Sequence, residues 1–500
     1  MVKIENPINN KDIAIHKFFL SFVLFSLILL LLIAPVLHLD LSNLVLLIMS
    51  TGCLFMLLRA ASMLRLAYQI PMTIKRYFCP GADSGLSGLK WRHVIVVPIY
   101  KETLETIEST VRSLSLHRSS ASNYVILCAH EKADINHEEK FRHIHDALAD
   151  RFLGLIKSVH AIAPQECPGK AANVNHAVRS YAASQDEWYF SGTMVTVIDC
   201  DTLINEYYFY ELERKATAVA NPHSVIFAAP AFFEINRGKV PCFVRAVDDL
   251  WSLAGAANIF SNSKLGFPIS NYSLSLKMLD EMGYWDVDHD SVGEDFHTFI
   301  KATVKLDEDV WLIPIGIPMN NENVIGHTYT NSLFARYSQA MRHALGIAST
   351  AYLFKHILSS TFSMRKCVVF LLCLESHCFP MLYFAVGIHV YECVLANNFH
   401  TYFHDEKLLL FYILSGSAFV LANAIFVSYK TIQFFLRHRV FNKPRDIVAE
   451  GFSDLCDLCV QGLSALAYFM VPFGFRAYQN LVFKTNKVYY SKVEERTRRY

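Results

Sequence analysis

The sequence predicts an α/β domain with a mainly parallel sheet, placed between hydrophobic segments that are long enough to cross a membrane. Hydrophobic residues make up 53% of the 500 residues and are concentrated toward the two ends of the chain. Between residues 90 and 346, short apolar runs alternate with helix-like segments. Alternation of this kind is typical of a parallel sheet covered by helices on both faces.

The candidate membrane segments lie in the N-terminal region, residues 1–80, and in the C-terminal region, residues 347–500. Each is an almost unbroken apolar stretch of the length that spans a bilayer core. The four predicted spans are residues 18–37, 41–58, 367–395 and 408–436. A cleaved signal peptide fits the first of them poorly, because a second apolar stretch follows at once.

A fifth apolar stretch, residues 455–475, contains Asp457, Gln461 and Pro472. Polar residues and proline are costly inside a lone membrane helix. We therefore favour a position in the membrane interface, or a re-entrant segment, over a fifth crossing.

Basic residues indicate the orientation in the membrane. Lysine and arginine flank the cytosolic ends of membrane helices, and none occurs in the short loop 38–42. The basic residues that decide the orientation are Lys3, Lys11, Lys17, Arg59, Arg65, Lys75, Arg76, Arg437, Arg439, Lys443, Arg445 and those of the C-terminal tail. Their positions predict a multi-pass protein whose N-terminus and α/β domain face the cytosol.

Composition argues against several other classes of protein. The formal net charge of +1 gives no sign of a nucleic-acid partner. The 12 cysteines include a CxxC pair, Cys456 and Cys459, but it lies in an apolar helix-like stretch where packing is the favoured role. A Gly- and Ser-rich stretch, residues 80–88, is the predicted linker between the membrane hairpin and the domain.

Acidic and aromatic residues follow the predicted strands, at the edge where ligands of parallel sheets bind. Tyr100 and Glu102 follow the run 93–99, and Glu131 follows the run 123–129. The helix-like segments between such runs are residues 103–116, 138–152, 173–183 and 207–220.

The most informative run is 195–201, in which four apolar or β-branched residues precede Asp199 and Asp201. The period of two in a strand places both carboxylates on the same side of the chain. Paired carboxylates favour a hard divalent ion such as Mg²⁺ or Mn²⁺, often shared with substrate phosphates.

Three further motifs each allow two interpretations. Lys170, after Gly169, is either a phosphate contact or a solvated lysine at a helix start. Glu294 and Asp295 follow Gly293. Either one of them is a general base, or both are there because acidic residues stabilise the N-terminus of a helix. The segment 336–346 brings Arg336, Gln339, Arg342 and His343 to one region of a helix. That helix contacts either a pyrophosphate or sugar, or anionic lipid headgroups.

The order of these motifs resembles the membrane-bound family 2 glycosyltransferases, which include the cellulose, chitin and hyaluronan synthases and ceramide glucosyltransferase. The motifs are Val-Pro-x-Tyr-x-Glu, Gly-Lys-Ala-Ala-Asn, Asp-x-Asp, Gly-Glu-Asp and Gln-x-x-Arg, followed by hydrophobic segments. The resemblance covers residues 90–346 and the flanking spans, and it implies a GT-A fold.

The resemblance also implies roles for individual residues. Asp295 would be the general base, supported by Glu294, and Asp201 with Asp199 would bind Mn²⁺ or Mg²⁺ at the diphosphate. The residues implied in binding the nucleotide sugar are Pro98, Tyr100, Glu102, Glu131, Lys170, Asp199, Gln339 and Arg342. The processive members have Arg-Trp where this chain has Arg342-His343, so processive and single transfer both stay open.

The sequence therefore predicts an inverting glycosyltransferase that takes a nucleotide sugar, in particular a UDP-sugar, at the cytosolic membrane face. The acceptor is a polysaccharide or a glycolipid. The spans contain the polar residues Glu375, His377, Glu392 and Asn423, which could line a path for a polymer. Four spans make only a narrow path, which slightly disfavours a dedicated polymer channel. The alternative is a catalytically inactive membrane scaffold or transporter that retains the domain for binding.

Overall fold

The computed structural model describes residues 10–79, 88–288, 293–306, 310–359, 363–441 and 446–482. The predicted linker, apart from Gly88, lies outside the described residues. So do Lys3, Lys443, Arg445 and the basic C-terminal tail.

The α/β domain contains nine strands, all within the described part of the chain. They are β1 (Arg92–Ile99), β2 (Tyr124–Glu131), β3 (Gly154–His160), β4 (Thr193–Val197), β5 (Val225–Ala228), β6 (Ala231–Phe232), β7 (Tyr272–Ser275), β8 (Trp311–Pro314) and β9 (Met319–Asn320).

Two long helices, α1 (Asn10–Ile33) and α2 (Ser42–Phe78), precede the domain, and its strands are connected mostly by helices. These are α3 (Leu104–Ser115), α4 (Ser120–Asn123), α5 (His137–Leu148), α6 (Lys170–Ala182), α7 (Tyr207–Thr217), α8 (Cys242–Ile259), α9 (Leu276–Glu281), α10 (Glu294–Lys305) and α11 (Tyr329–His343).

The remaining helices follow the domain. They are α12 (Ile347–Ser359), α13 (Met364–His377), α14 (Phe379–Leu395), α15 (Phe399–Tyr402), α16 (Asp405–Arg439), α17 (Ile447–Ala465) and α18 (Val471–Val482), with a π-helical turn, Leu466–Met470, between the last two.

Seven strands form the main sheet, in the order β3-β2-β1-β4-β7-β5-β8. β1 pairs in parallel with β2 and β4, β2 with β3, and β5 with β8, whereas β7 is antiparallel to both of its neighbours. A second, two-stranded sheet pairs β6 with β9. The predicted mainly parallel α/β sheet is confirmed.

Alternate residues of β1 enter two separate cores, one on each face of the sheet. Val94 and Val96 pack in one core and Ile95 and Val97 in the other, and all four are fully buried. A strand buried on both faces needs apolar residues throughout rather than in alternation, which accounts for the unbroken run that the sequence shows.

Four described helices are long and apolar enough to cross a membrane: Ile15–Ile33, Ser42–Phe78, Asp405–Arg439 and Val448–Phe475. The second and third are longer than the predicted spans. In the N-terminal half of α2, Leu54 and Leu57 are exposed, whereas Leu66 and Ile70 in its C-terminal half are fully buried in the same core as the sheet. The helix therefore continues from a membrane segment directly into the α/β domain.

The predicted span 367–395 is not one straight helix. It consists of α13 and α14, bent by 52° at the break between them. Pro380 stands in the first turn of α14, where its ring lacks the N–H that a continuous helix requires. Val369 and Cys373 of α13 pack in the same core as the sheet. The first half of the predicted span therefore packs on the domain.

Candidate active site

A lysine and three carboxylates meet beyond the carboxyl end of β4. The Lys170 ammonium nitrogen lies 2.9 Å from Asp199 Oδ1 and 3.2 Å from Glu294 Oε1. It also donates to the backbone carbonyl of Ser270 at 2.6 Å. Burial lowers the pKa of Lys170, but Asp199, Glu294 and Asp295 outweigh it and hold that pKa above its ordinary value. Lys170 is therefore a permanent cation among the acids.

Ser270 holds two of these acids in place. Its backbone N–H donates to Asp295 Oδ2 at 2.6 Å, and its hydroxyl donates to Asp199 Oδ2. Asn321 donates its side-chain amide to the same hydroxyl at 3.2 Å. The φ of Ser270 is +68°, a left-handed conformation that is uncommon for a residue other than glycine and is found preferentially at functional sites.

Glu294 and Asp295 begin α10, but their surroundings differ. Glu294 is buried and accepts a hydrogen bond from the Tyr272 hydroxyl at 3.3 Å. Burial raises the pKa of Glu294 to about 7; Lys170 opposes this rise, and Asp295 and Asp199 add to it. Asp295 is half-buried, and its Oδ1 accepts the Phe296 amide at 2.9 Å. The two neighbouring acids therefore have different chemistry.

Asp199 and Asp201 lie in a turn rather than in a strand. β4 ends at Val197, and the Thr202 amide donates to the Asp199 carbonyl at 3.1 Å. The prediction that strand periodicity aligns the two carboxylates is therefore wrong. Instead Asn271 fixes the start of the turn, because its Oδ1 accepts the Asp199 amide at 2.8 Å. Asp201 is half-buried in the same turn.

The residues implied at the nucleotide end lie at the ends of β1 and β2. Pro98 is within β1, and Glu102 accepts the Tyr100 amide at 2.7 Å, which closes the turn after that strand. Glu131 is the last residue of β2; it is buried, and burial raises its pKa. The Asn173 side chain, on α6, hydrogen-bonds to Glu131 and opposes that shift.

Gln339 and Arg342 are half-buried on α11, which packs against α8. Arg336 of the same helix is buried and donates to Asp248 of α8 at 2.6 Å, so its charge is neutralised within the protein. His343 stands edge-on to the Trp251 ring, with centroids 4.5 Å apart. An aromatic side chain from α8 thus lies beside the position where processive relatives have tryptophan.

Sequence reasoning missed three polar residues of the site: Ser270, Asn271 and Asn321. Their signal is weak, since each is a short polar side chain beside an apolar run. The pair Ser270-Asn271 stands directly before β7, and a polar pair at that edge of the sheet could have been noted. The left-handed φ of Ser270 has no signature in the residue type.

The family model described as "Glycosyl transferase family group 2" matches residues 194–431. The match includes the turn with Asp199 and Asp201, the Glu294-Asp295 pair, Gln339 and Arg342. This part of the chain is a family 2 glycosyltransferase domain, and the protein is a glycosyltransferase. The catalytic domain of this glycosyltransferase has the GT-A fold, and four or five candidate membrane helices flank it.

The glycosyltransferase also resembles solved structures at low identity. The mannosyltransferase PcManGT from Pyrobaculum calidifontis, in complex with GDP-Man and Mn²⁺, is 12% identical with a TM-score of 0.45, covering 84% of this chain and 99% of that one. S. aureus TarS in complex with UDP is 13% identical with a TM-score of 0.37, covering 68% and 91%. A comparison with curated protein sequences finds no match.

Proposed function

We propose that this glycosyltransferase transfers a sugar from a UDP-sugar to a glycolipid or polysaccharide acceptor, with inversion, at the cytosolic face of a membrane. The observation that carries the proposal is the meeting of Lys170, Asp199, Glu294 and Asp295 beyond the carboxyl end of β4. This is the edge of a parallel sheet at which ligands bind.

Asp295 is the general base of the proposed reaction. Two backbone N–H groups fix its carboxylate, those of Ser270 and Phe296, and its side chain is half-exposed. A carboxylate held in this way can take the proton of an acceptor hydroxyl as that hydroxyl attacks the anomeric carbon. With one base and no separate nucleophile, the displacement is direct and inverts the anomeric configuration.

Glu294 is a positioning residue in this proposal. It is buried behind Asp295 and contacts Lys170, so it directs the ammonium group rather than the acceptor. Its raised pKa places its titration near neutral pH. Protonation of Glu294 weakens its electrostatic attraction to Lys170. The Lys170 ammonium group can then interact more strongly with a substrate phosphate.

Lys170 contributes positive charge where the leaving diphosphate accumulates negative charge. An ammonium surrounded by carboxylates is already in place before the donor binds, so little reorganisation accompanies the reaction. Gln339 and Arg342, on α11, would contact the donor or the acceptor, since a guanidinium is suited to phosphate oxygens.

Asp201 and Asp199 would hold Mn²⁺ or Mg²⁺ together with the donor phosphates. Carboxylate oxygens suit either ion, and Mg²⁺ sites commonly combine one or two carboxylates with substrate phosphates. Among the described residues no group of three or more acids, histidines or cysteines is arranged as a metal site. That agrees with a site which substrate phosphates complete. The ion would neutralise charge on the leaving diphosphate.

The membrane location rests on the candidate membrane helices and on the basic residues around them. The C-terminal halves of α2 and α16 pack into the catalytic domain, and Lys75 and Arg76 end α2. By the positive-inside rule, these basic residues support a cytosolic position of the domain. An acceptor that is lipid-linked or grows at the membrane can then reach the site, and no nucleic acid is involved.

Release of the nucleoside diphosphate by protein in proteoliposomes tests the proposal. UDP-, GDP- and ADP-sugars are supplied singly with lipid and glycan acceptors, and the anomeric configuration of the product is read by NMR. We expect release from one UDP-sugar, with inversion, and loss of release in Asp199→Asn. Release from no UDP-sugar, or a product of retained configuration, would contradict the proposal.

A further inference from the structure

Helix α17 has its charged residues on the inside and its apolar residues on the outside. Val448, Phe452, Leu455 and Leu463 are 83%, 69%, 55% and 61% exposed. With the exposed Cys459 they recur at helical spacing and form one stripe. A helix facing water shows the reverse pattern. This stripe, called here the α17 apolar face, is suited to hydrocarbon.

The opposite side of α17 is tied to the catalytic domain by ion pairs. Asp457 is fully buried and pairs with Arg237, which precedes α8, and with Arg245 of α8 at 2.9 Å. Farther along, Ser464 donates to the Phe243 carbonyl of α8 at 3.2 Å. The helix therefore lies along α8 over at least two turns.

The same acids also connect α17 to the cytosolic end of α16. Lys430 of α16 lies 3.0 Å from Asp454 and 3.2 Å from Asp457. One turn after the start of α17, Glu450 lies 3.0 Å from Arg437 of α16. Helix α17 therefore begins beside the part of α16 that packs on the domain.

These contacts are incompatible with α17 crossing the bilayer, although its length and hydropathy would permit a crossing. Asp457 would then lie well within the membrane-spanning helix, where charged groups are costly. Its partners Arg237 and Arg245 belong to a domain whose sheet and helices cannot enter hydrocarbon. The acids stay at the domain surface, and only the opposite face can meet lipid.

We infer that α17 lies in the plane of the membrane, with its charged side on the catalytic domain and its apolar face inserted into the cytosolic leaflet. Its partner is the lipid surface, at the depth typical of interfacial helices, about 5–10 Å below the headgroup boundary. This anchor sets the distance between the catalytic domain and the bilayer, and it does not depend on which sugar the enzyme transfers.

Spin labels placed singly on the apolar face test this inference in the full-length protein. Cysteine is introduced at Val448, Phe452, Leu455 or Leu463 in a background without other accessible cysteines, and the protein is reconstituted in vesicles. Accessibility to oxygen and to a polar nickel complex gives the depth of each label. Labels at Leu410 and Phe419 of α16, both exposed, serve as the crossing control.

If α17 lies in the plane of the membrane, all four labels should have the same shallow depth. The two labels on α16 should differ in depth according to their positions along that helix. A crossing helix predicts a depth change of about 22 Å from residue 448 to residue 463, at 1.5 Å per residue. Such a gradient would overturn the inference. Full access of the labels to water would also overturn it. A third contradicting result is shielding of the labels from both reagents together with spin–spin broadening, because that combination indicates contact with a second copy of the protein. If one labelled variant fails to accumulate, the exposed Ala449 supplies another site.

Discussion

The ammonium nitrogen of Lys170 lies 2.9 Å from Asp199 Oδ1, so the first residue of α6 is joined to the turn after β4. The contact places a cation beside the acid that the resemblance assigns to the nucleotide. A donor diphosphate that enters the site meets this cation already positioned, and it competes with Asp199 and Glu294 for it.

Replacing Lys170 with methionine leaves three carboxylates near one another without their cation. Removing one partner of a buried ion pair lowers the free energy of unfolding by about 3–5 kcal/mol. Because the Lys170 side chain is 22% exposed, we expect a decrease at or below the lower end of that range. We expect a lower melting temperature and weaker donor binding. Lys277→Met, which removes a surface pair with Glu281, is the control and should change neither measurement. An unchanged melting temperature in the Lys170 variant would contradict the assigned geometry.

Glu294 should make the stability of the protein depend on pH near neutrality. Its folded-state pKa of about 7 exceeds the ordinary value of 4.5, so between these values the folded state binds more protons than the unfolded state. The free energy of unfolding therefore falls as pH rises from about 4.5 to 7. The expected decrease is on the order of 3 kcal/mol.

Glu294→Gln removes this titration. Thermal unfolding at pH 5 and pH 8 in detergent should show a smaller difference for the variant than for the wild type. If the difference between pH 5 and pH 8 is the same in the variant and the wild type, the pKa of Glu294 in the folded protein is not raised above its ordinary value. Asp280→Asn, a change at a hydrogen-bonded acid of α9, should leave the wild-type pH dependence in place.

Asp201→Asn should weaken metal binding more than it weakens the fold. Loss of one carboxylate from a site with few protein ligands is expected to raise the Mn²⁺ concentration needed for half-maximal donor binding by about 10- to 100-fold. Electron paramagnetic resonance of free Mn²⁺, titrated with protein and UDP, measures this without turnover. A titration that matches the wild type would exclude Asp201 as a ligand.

The sequence was sufficient to predict that the candidate residues lie at one edge of the sheet. The strands are apolar runs with acids directly after them, and the carboxyl ends of parallel strands meet at one edge. Glu131 and Asp199 could therefore be assigned to a common region before any contact was known. The contacts of Asp199 could not be predicted, because they depend on Ser270 and Asn271, whose positions are set by the surrounding tertiary structure.

The long apolar helices were predictable in position but not in extent. Hydropathy finds the exposed half of α2, whereas its second half continues as an amphipathic helix whose buried residues, such as Leu66 and Ile70, pack on the sheet. The bend between α13 and α14 could have been predicted from Pro380, since proline interrupts a continuous helix. That Val369 faces the domain rather than lipid is a matter of tertiary packing.

The ion pairs between the catalytic domain and α17 should contribute strongly to stability. Arg237→Met removes one of the cations that pair with the buried Asp249 and Asp457. Loss of a buried partner costs about 3–5 kcal/mol, and we expect a loss near the lower end because Lys430 still pairs with both acids. Thermal unfolding in detergent measures the loss, and limited proteolysis between α16 and α17 should become faster. The control is Arg112→Met, which removes an exposed pair with Glu108 and should cost about 1 kcal/mol or less. Equal effects would show that the buried network is not needed.

The most direct test of the account is the rate of UDP release by Asp295→Asn in proteoliposomes. Asparagine keeps an oxygen that can accept the Ser270 amide, but it cannot take a proton from an acceptor hydroxyl. The account predicts that kcat falls by about 10²–10⁴-fold while the KM for the donor changes little. Asp150→Asn, at an exposed acid, should retain the wild-type rate. A wild-type rate in Asp295→Asn would contradict the proposed mechanism.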